Sequence, residues 1–538
     1  MSSPRRTGSI WRIMALLGFL MGLPALTQEA QPANRKAASP HRPASPYAQV
    51  HAEAARRSTA DHGQYQILKG PFKEGDGSAV TKACLTCHPK AAEQVMGSSH
   101  WTWNPKDKRL AGYGKSTHLV NNFCISAQGG NQAACARCHA GYGMTDRHFD
   151  FSKSENIDCL VCHDTTGDYE KIAGGFPNPA VPLDEIAQKV GRSTLQNCGV
   201  CHFFGGGADA TKHGDLDDTI LKATPAVDVH MSKQGAAMVC TDCHVSHAHE
   251  VSGPNYVIPA DKREKAHFPG ESMSRMACSA CHTDSPHAST VLNRHYRKVA
   301  CQTCHIPEYA RGGLASNLSW DWSTAGKLKN GRPYKEEDTN GFETYNTIHG
   351  DMVWAKNVKP SYIWYNGNLK FTLLTDTLPA QRPVMLNPAE GSYIDSAAKI
   401  WPFKIHEGKQ PFDPVLNRLV APYTAGPKGS GAFWGDYDWD TAIKTGMEKA
   451  GLPYSGKHDF VSTTMLWPIT HMVAPAKDAL SCKDCHDRNG RLEGVEGFYL
   501  PGRDRGWGVD FLGWTLVALV AAATLTHGIL RYLFAGRS

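Results

Sequence analysis

Two apolar runs mark the ends of the chain. Ile13 to Leu26 follows Arg5, Arg6 and Arg12 and gives way to Thr27-Gln28-Glu29-Ala30. That order, basic then apolar then polar, predicts a secretory signal over residues 1–27, and the run is short for a membrane span. Phe511 to Leu530 carries no charged residue and is long enough to cross a bilayer as a helix. It predicts a transmembrane anchor over residues 503–538, with Trp507 and Trp514 at one end and Arg531, Tyr532 and Arg537 at the other. Residues 28–61 are rich in Ala and Pro and read as a flexible leader. Within the remaining domain, 62–502, the pattern is broken by Gly and Asp as far as His305 and predicts short helices and loops. From there to Cys482 the chain is rich in Trp, Tyr, Pro and Gly. Tyr393–Ile405 and Asp440–Gly451 are expected to be helical, the second with Asp440 as its capping acid, and the rest irregular with short strands. The fold class is therefore mainly α with much irregular loop.

Cysteine changes this picture. Sixteen of the seventeen cysteines fall in eight copies of Cys-x-x-Cys-His. The first four are Cys84, Cys87 and His88; Cys135, Cys138 and His139; Cys159, Cys162 and His163; and Cys198, Cys201 and His202. The others are Cys240, Cys243 and His244; Cys278, Cys281 and His282; Cys301, Cys304 and His305; and Cys482, Cys485 and His486. A lone copy could be half a zinc knuckle or a redox dithiol. Eight copies, each followed by His, are attachment sites for eight c-type haems, in which the thiols add to the porphyrin vinyl groups and His binds iron. The architecture is thus a multihaem cytochrome c fold. Gaps of 24 residues between Cys135 and Cys159, and 23 between Cys278 and Cys301, predict neighbouring haems. Hydrophobic residues make up 41% of the chain, modest for its length and consistent with a core made partly of porphyrin. Haem attachment and the signal place the bulk on the periplasmic side of the bacterial inner membrane, with the C-terminus in the cytoplasm. A net charge of +6 argues for no nucleic-acid partner.

An iron held by His on both faces only transfers electrons, whereas catalysis needs an exchangeable sixth position. Candidates for the second ligand follow from position. His249 and His287 each lie five residues after a motif His, and His230 and His471 precede a motif by ten or eleven residues. His100, His213, His295 and His349 complete the pool. His41 and His51 fall in the leader.

Several stretches together resemble the octahaem tetrathionate reductase family: Ala134 to Gly143 around the second motif, Asn121-Asn122-Phe123-Cys124-Ile125, Cys201 to Gly207 with Lys212-His213-Gly214-Asp215, and Tyr362 to Gly367. The likeness runs from about Ala83 to Cys485. It implies that the second haem, on Cys135, Cys138 and His139, is the active site, with a lysine as distal ligand and a cysteine in the pocket. Lys171 is the lysine best placed to match, and Cys124, the one cysteine outside the motifs, is the pocket thiol. Cys124 is expected to be an activated thiolate, and Asp168 to orient Lys171 or supply protons. The related nitrite reductases carry Cys-x-x-Cys-Lys, which is absent here. The expectation is a membrane-anchored reductase of small oxidised sulfur or nitrogen compounds (tetrathionate, nitrite, hydroxylamine), fed by a membrane cytochrome or quinol dehydrogenase. The alternative is an electron conduit, with all eight irons capped, between a membrane quinol oxidase partner and periplasmic acceptors.

Overall fold

The computed structural model describes residues 60–104, 112–251, 253, 277–504 and 506–535. The expected signal and nearly all of the leader, with His41 and His51, lie outside them.

The first half is built of short helices and turns. Helix α1, Gly77–Leu85, is capped by Asp76, whose carboxylate accepts from the Ala79 N–H at 3.0 Å, and it buries Val80, Thr81 and Ala83. Its last turn carries Cys84. Helix α2, Leu195–His202, opens on a reciprocal cap between Thr194 and Asn197 and contains the whole fourth motif. Other motifs sit on single turns, among them Cys240–Cys243, Cys301–His305 and Cys482–Cys485. One helical turn is what the motif needs, because residues three and four apart share a face. Both thiols and the following His then point the same way.

The second half departs from the expected helices and loops. Nine strands form one mixed sheet: β1 Ser316–Asp321, β2 Lys335–Glu337, β3 Glu343–Asn346, β4 Gly350–Ala355, β5 Ser361–Tyr365, β6 Val384–Met385, β7 Lys399–Asp413, β8 Arg418–Leu419 and β9 Asp459–Pro468. The main order is β2-β3-β4-β1-β7-β9-β6, with β5 and β8 also paired to β7. β1 runs parallel to β7 and β6 parallel to β9; the other pairs are antiparallel. The helix expected over Tyr393–Ile405 is therefore corrected: Lys399 onward is the fifteen-residue central strand. Its inward face carries Lys404, His406 and Gln410, all fully buried. Polar side chains facing inward hide the period-two signal of a strand, and they are tolerated because each is hydrogen-bonded. The second expected helix exists as α3, Trp439–Ala450, but its cap is Asp438, not Asp440: the Asp438 carboxylate accepts from the N–H groups of Asp440 and Thr441 at 3.0 and 3.4 Å.

The largest core lies where the sheet meets the Asn121–Ile125 loop. Phe123 and Ile125 pack there with Trp322, Phe403, Met465 and Trp467. Asn122 Oδ1 accepts from Gln410 Nε2 (2.6 Å) and Thr463 Oγ1 (2.8 Å), while its amide donates to the His406 carbonyl (3.0 Å). This loop holds Cys124, so the sheet positions that thiol. Helix α4, Trp507–Phe534, closes the chain. At 28 residues it is long and apolar enough to cross a membrane, and none of it is buried.

Candidate functional site

Each motif His can be asked what faces it. His88 lies against His62, ring centres 6.2 Å apart; His163 against His249 at 6.2 Å; His202 against His100 at 6.2 Å; and His244 against His471 at 6.3 Å. His282 faces His230 at 6.0 Å, His305 faces His287 at 6.0 Å, and His486 faces His295 at 6.2 Å. Two imidazoles sharing one metal need about 2 Å from each nitrogen to the ion and about 1.1 Å from nitrogen to ring centre, roughly 6.2 Å in all. The seven pairs are spaced for an iron between them. Several rings are also oriented for it. Nδ1 of His163 bonds the Gly191 carbonyl at 2.8 Å, that of His486 the Pro501 carbonyl at 2.9 Å, and that of His249 the Gln94 amide oxygen at 2.8 Å. Each such bond leaves Nε2 for the metal.

Six of the candidate second ligands, His100, His230, His249, His287, His295 and His471, are among these partners. Among the described residues His213 and His349 form no ring pair with a motif His: His213 stands against Trp467 at 5.6 Å, within the field of His202, and His349 against Trp320 at 4.9 Å. His62 is a partner that spacing does not suggest, because it lies 26 residues from His88 at the edge of the leader.

His139 is the exception. Among the described residues no His faces it. Its ring is boxed by Trp101, Trp103 and Phe149, with centres at 5.3, 5.0 and 5.4 Å, and Nε2 meets the Trp101 carbonyl at 2.6 Å. Burial is the main cause holding its pKa down to about 4.

The motifs also touch one another. The Cys84 and Cys159 thiols are in hydrogen-bonding contact, as are Cys138 with Cys201, Cys198 with Cys240, and Cys278 with Cys301. Cys243 neighbours Cys281, and Cys304 neighbours Cys485. Motifs four to eight thus follow in series, the first joins the third, and the second meets the fourth. The short gap between motifs six and seven does bring their thiols together; the second motif meets the fourth through its thiol and the third through its backbone, the Asp158 N–H donating to the Ala140 carbonyl at 3.0 Å.

Lys171 reaches the second motif. Its ammonium forms a 2.9 Å ion pair with buried Asp158 and donates to the carbonyls of His139 and Gly141. Asp158 also accepts from Tyr142 at 2.9 Å and Tyr169 at 3.0 Å. Lys171 thus lies between the second and third motifs. Asp168 is exposed and pairs with no lysine among the described residues; the carboxylate against Lys171 is Asp158. Two other lysines come to the second motif. Lys115 Nζ lies 4.5 Å from the Trp103 ring centre and Lys212 Nζ 4.5 Å from that of Trp467. Both feel the Cys138 thiol, and Lys212 also feels Lys115. Desolvation, followed by repulsion from Lys115, lowers the Lys212 amine to about 8. Desolvation, followed by the Cys135 thiol, pushes the Cys124 thiol up to about 12.

The chain is 39% identical to an octahaem cytochrome c from Shewanella oneidensis whose crystal structure is known; the match covers 82% of this chain and 98% of that one, with a TM-score of 0.71. Residues 317–489 match the bacterial cytochrome c family model. An uncharacterized protein of Archaeoglobus fulgidus is 25% identical over 253 residues, 37% of this chain and 82% of its own length. This chain belongs to the octahaem c-type cytochromes, and it is a redox protein carrying c-type haems. Its mature mass should accordingly exceed that of the processed polypeptide by about eight haem masses. A mass spectrum of the exported protein checks this, and seven or fewer haems would remove at least one motif from the set.

Proposed function

We propose that this octahaem cytochrome reduces small oxidised sulfur or nitrogen compounds, tetrathionate first among them, at the site of the second motif. One observation carries the reading: seven motif histidines face a second His at 6.0–6.3 Å, and His139 faces none among the described residues. When bound, the haems supply one-electron carriers and, at the second motif, an iron with an exchangeable position. Cys135, Cys138 and His139 would hold that group. Lys212 is the distal ligand in this reading, in place of Lys171. Its amine is near enough to neutral to bind a metal, and once released and protonated it becomes a cation beside an anionic substrate. Lys115 adds a second positive charge. Cys124, once deprotonated, would attack an inner sulfur of tetrathionate: the central S–S bond breaks and thiosulfate leaves, and the Cys124 Sγ–S–SO3⁻ adduct takes two electrons and a proton to give back the thiol and a second thiosulfate.

Carbon monoxide or cyanide titration of the loaded protein tests the reading. One binding site per chain is expected, and it should grow more accessible in Lys212→Met. No binding by the reduced protein would favour a conduit with every iron capped.

The reading includes an anchor. Helix α4 would fix the enzyme to the periplasmic face of the inner membrane, beside a cytochrome or quinol dehydrogenase donor. Truncation before Phe511 should release a soluble protein with all eight haems, since no residue of α4 is buried. Membrane fractionation and haem absorbance check it; loss of haem would make α4 part of the core.

A further inference from the structure

Beside Cys124 lies a chamber of about 100 Å³ that contains no attachment motif. Strands β1, β3 and β4 supply Trp320, Glu343, Met352 and Trp354 to its wall. By this measure one water needs about 10–15 Å³, so there is room for a molecule of a few heavy atoms. Four tryptophans line it, and each has spent its indole N–H on a backbone carbonyl. Trp320 donates to His349 at 2.7 Å, Trp322 to Asn122 at 3.2 Å, Trp354 to Glu343 at 2.8 Å and Trp434 to Ile348 at 3.0 Å. The Thr211 hydroxyl goes to the Asp209 carbonyl at 3.4 Å. The walls therefore present carbon and ring faces to whatever enters.

Three side chains are left to speak to a guest: the Cys124 thiol, Glu343 and His349. Glu343 is a carboxylate held by Asn346 at 3.0 Å, Lys335 at 3.3 Å and His349 at 3.7 Å. A dianion entering here would lose its hydration among apolar walls and face that carboxylate. A small uncharged molecule loses little. The lining contributes two sulfurs, Cys124 and Met352, and sulfur packs favourably against aromatic rings.

We propose that this chamber is a binding site for one small uncharged sulfur compound, of hydrogen sulfide or methanethiol size, held against Cys124 by the tryptophan walls. It goes beyond the reductase reading and does not depend on it. Anionic substrate would have to reach Cys124 from the lysine side, while the chamber admits only neutral species. His349, a candidate haem ligand by sequence, instead belongs to this wall.

The test uses the haem-loaded full chain, in which Cys124 is the one thiol left by the attachment motifs. Methyl methanethiosulfonate, which is neutral, transfers its methylthio group to the Cys124 sulfur: the S–SO₂ bond breaks, and methanesulfinate leaves while the thiol proton goes to solvent. The anionic 2-sulfonatoethyl reagent does the same chemistry. With each rate divided by that for free cysteine, the neutral reagent should label at least about tenfold faster, a difference of about 1.4 kcal/mol. Glu343→Gln should narrow the gap, and Met352→Trp, which fills the chamber, should slow the neutral reagent selectively. Xenon-pressurised crystals of the wild type give an independent readout, with one xenon expected among the tryptophans. A Met352→Trp variant that leaves the neutral reagent's rate unchanged, or a chamber occupied by ordered water and free of xenon, would overturn the proposal. Loss of tetrathionate turnover without these changes would count against the reductase reading alone.

Discussion

Lys212→His is expected to lower turnover of tetrathionate, nitrite and hydroxylamine alike by about 100-fold, because an imidazole beside the second motif would complete an eighth His pair and close the exchangeable position. The absorption spectrum should change for one haem of eight, and carbon monoxide binding should disappear. Lys212→Met should also alter that single haem but leave it open. Lys171→Met separates the two lysines: with its amine held by Asp158 and the motif carbonyls, it should act on stability and not on the ligand field of one haem. A spectral change at one haem in Lys171→Met, with none in Lys212→Met, would return the ligand role to Lys171. Cys124→Ser should keep all eight haems and slow tetrathionate more than nitrite or hydroxylamine, since only sulfur transfer uses the thiol. Equal loss on all three substrates would make Cys124 a packing residue of the loop pinned by Asn122.

The largest expected effect on stability is at Asp158. Its carboxylate is fully buried and meets Lys171, Tyr142 and Tyr169 together. Asp158→Ala leaves an ammonium buried without its partner, which costs about 3–5 kcal/mol. Guanidinium unfolding followed by tryptophan emission or haem absorbance would register it. The double variant Asp158→Ala, Lys171→Met should recover part of the loss, since no unpaired charge then remains. If the double variant is no better than the single, the cluster works through its tyrosines instead of the ion pair.

Much of this site is legible in the order of residues along the chain, and what is not legible has identifiable causes. His249 and His287 can be found because a ligand five residues from a motif leaves a local trace. His62 leaves none. His213 and His349 qualify as ligands by residue type, yet tertiary contacts carry one to Trp467 and the other to the chamber wall. Lys171 follows the third motif closely, but nearness along the chain does not reveal buried Asp158 waiting for it. The strand Lys399–Asp413 is hidden because its buried face holds Lys404, His406 and Gln410. Those residues are stable there only through partners far along the chain: Thr211 and Ser316 at 2.7 and 2.6 Å from Lys404, Asn317 at 2.7 Å from His406, and Asn122 at 2.6 Å from Gln410.

Sequence by itself determined the number of haems and the thiols and proximal histidines that would hold them. That chemistry is local: five consecutive residues on one helical turn carry everything the attachment needs. It likewise determined the apolar helix at the C-terminus, because crossing a bilayer is a matter of length and hydropathy. Only the tertiary structure decided which histidine faces which, and that no described histidine faces His139. It alone also placed Lys212 and Cys124 beside the second motif. A second ligand has no required sequence distance. His249 comes to His163 and His471 to His244 because loops and the sheet fold them there, and the spacing that makes each pair a metal site exists only after folding.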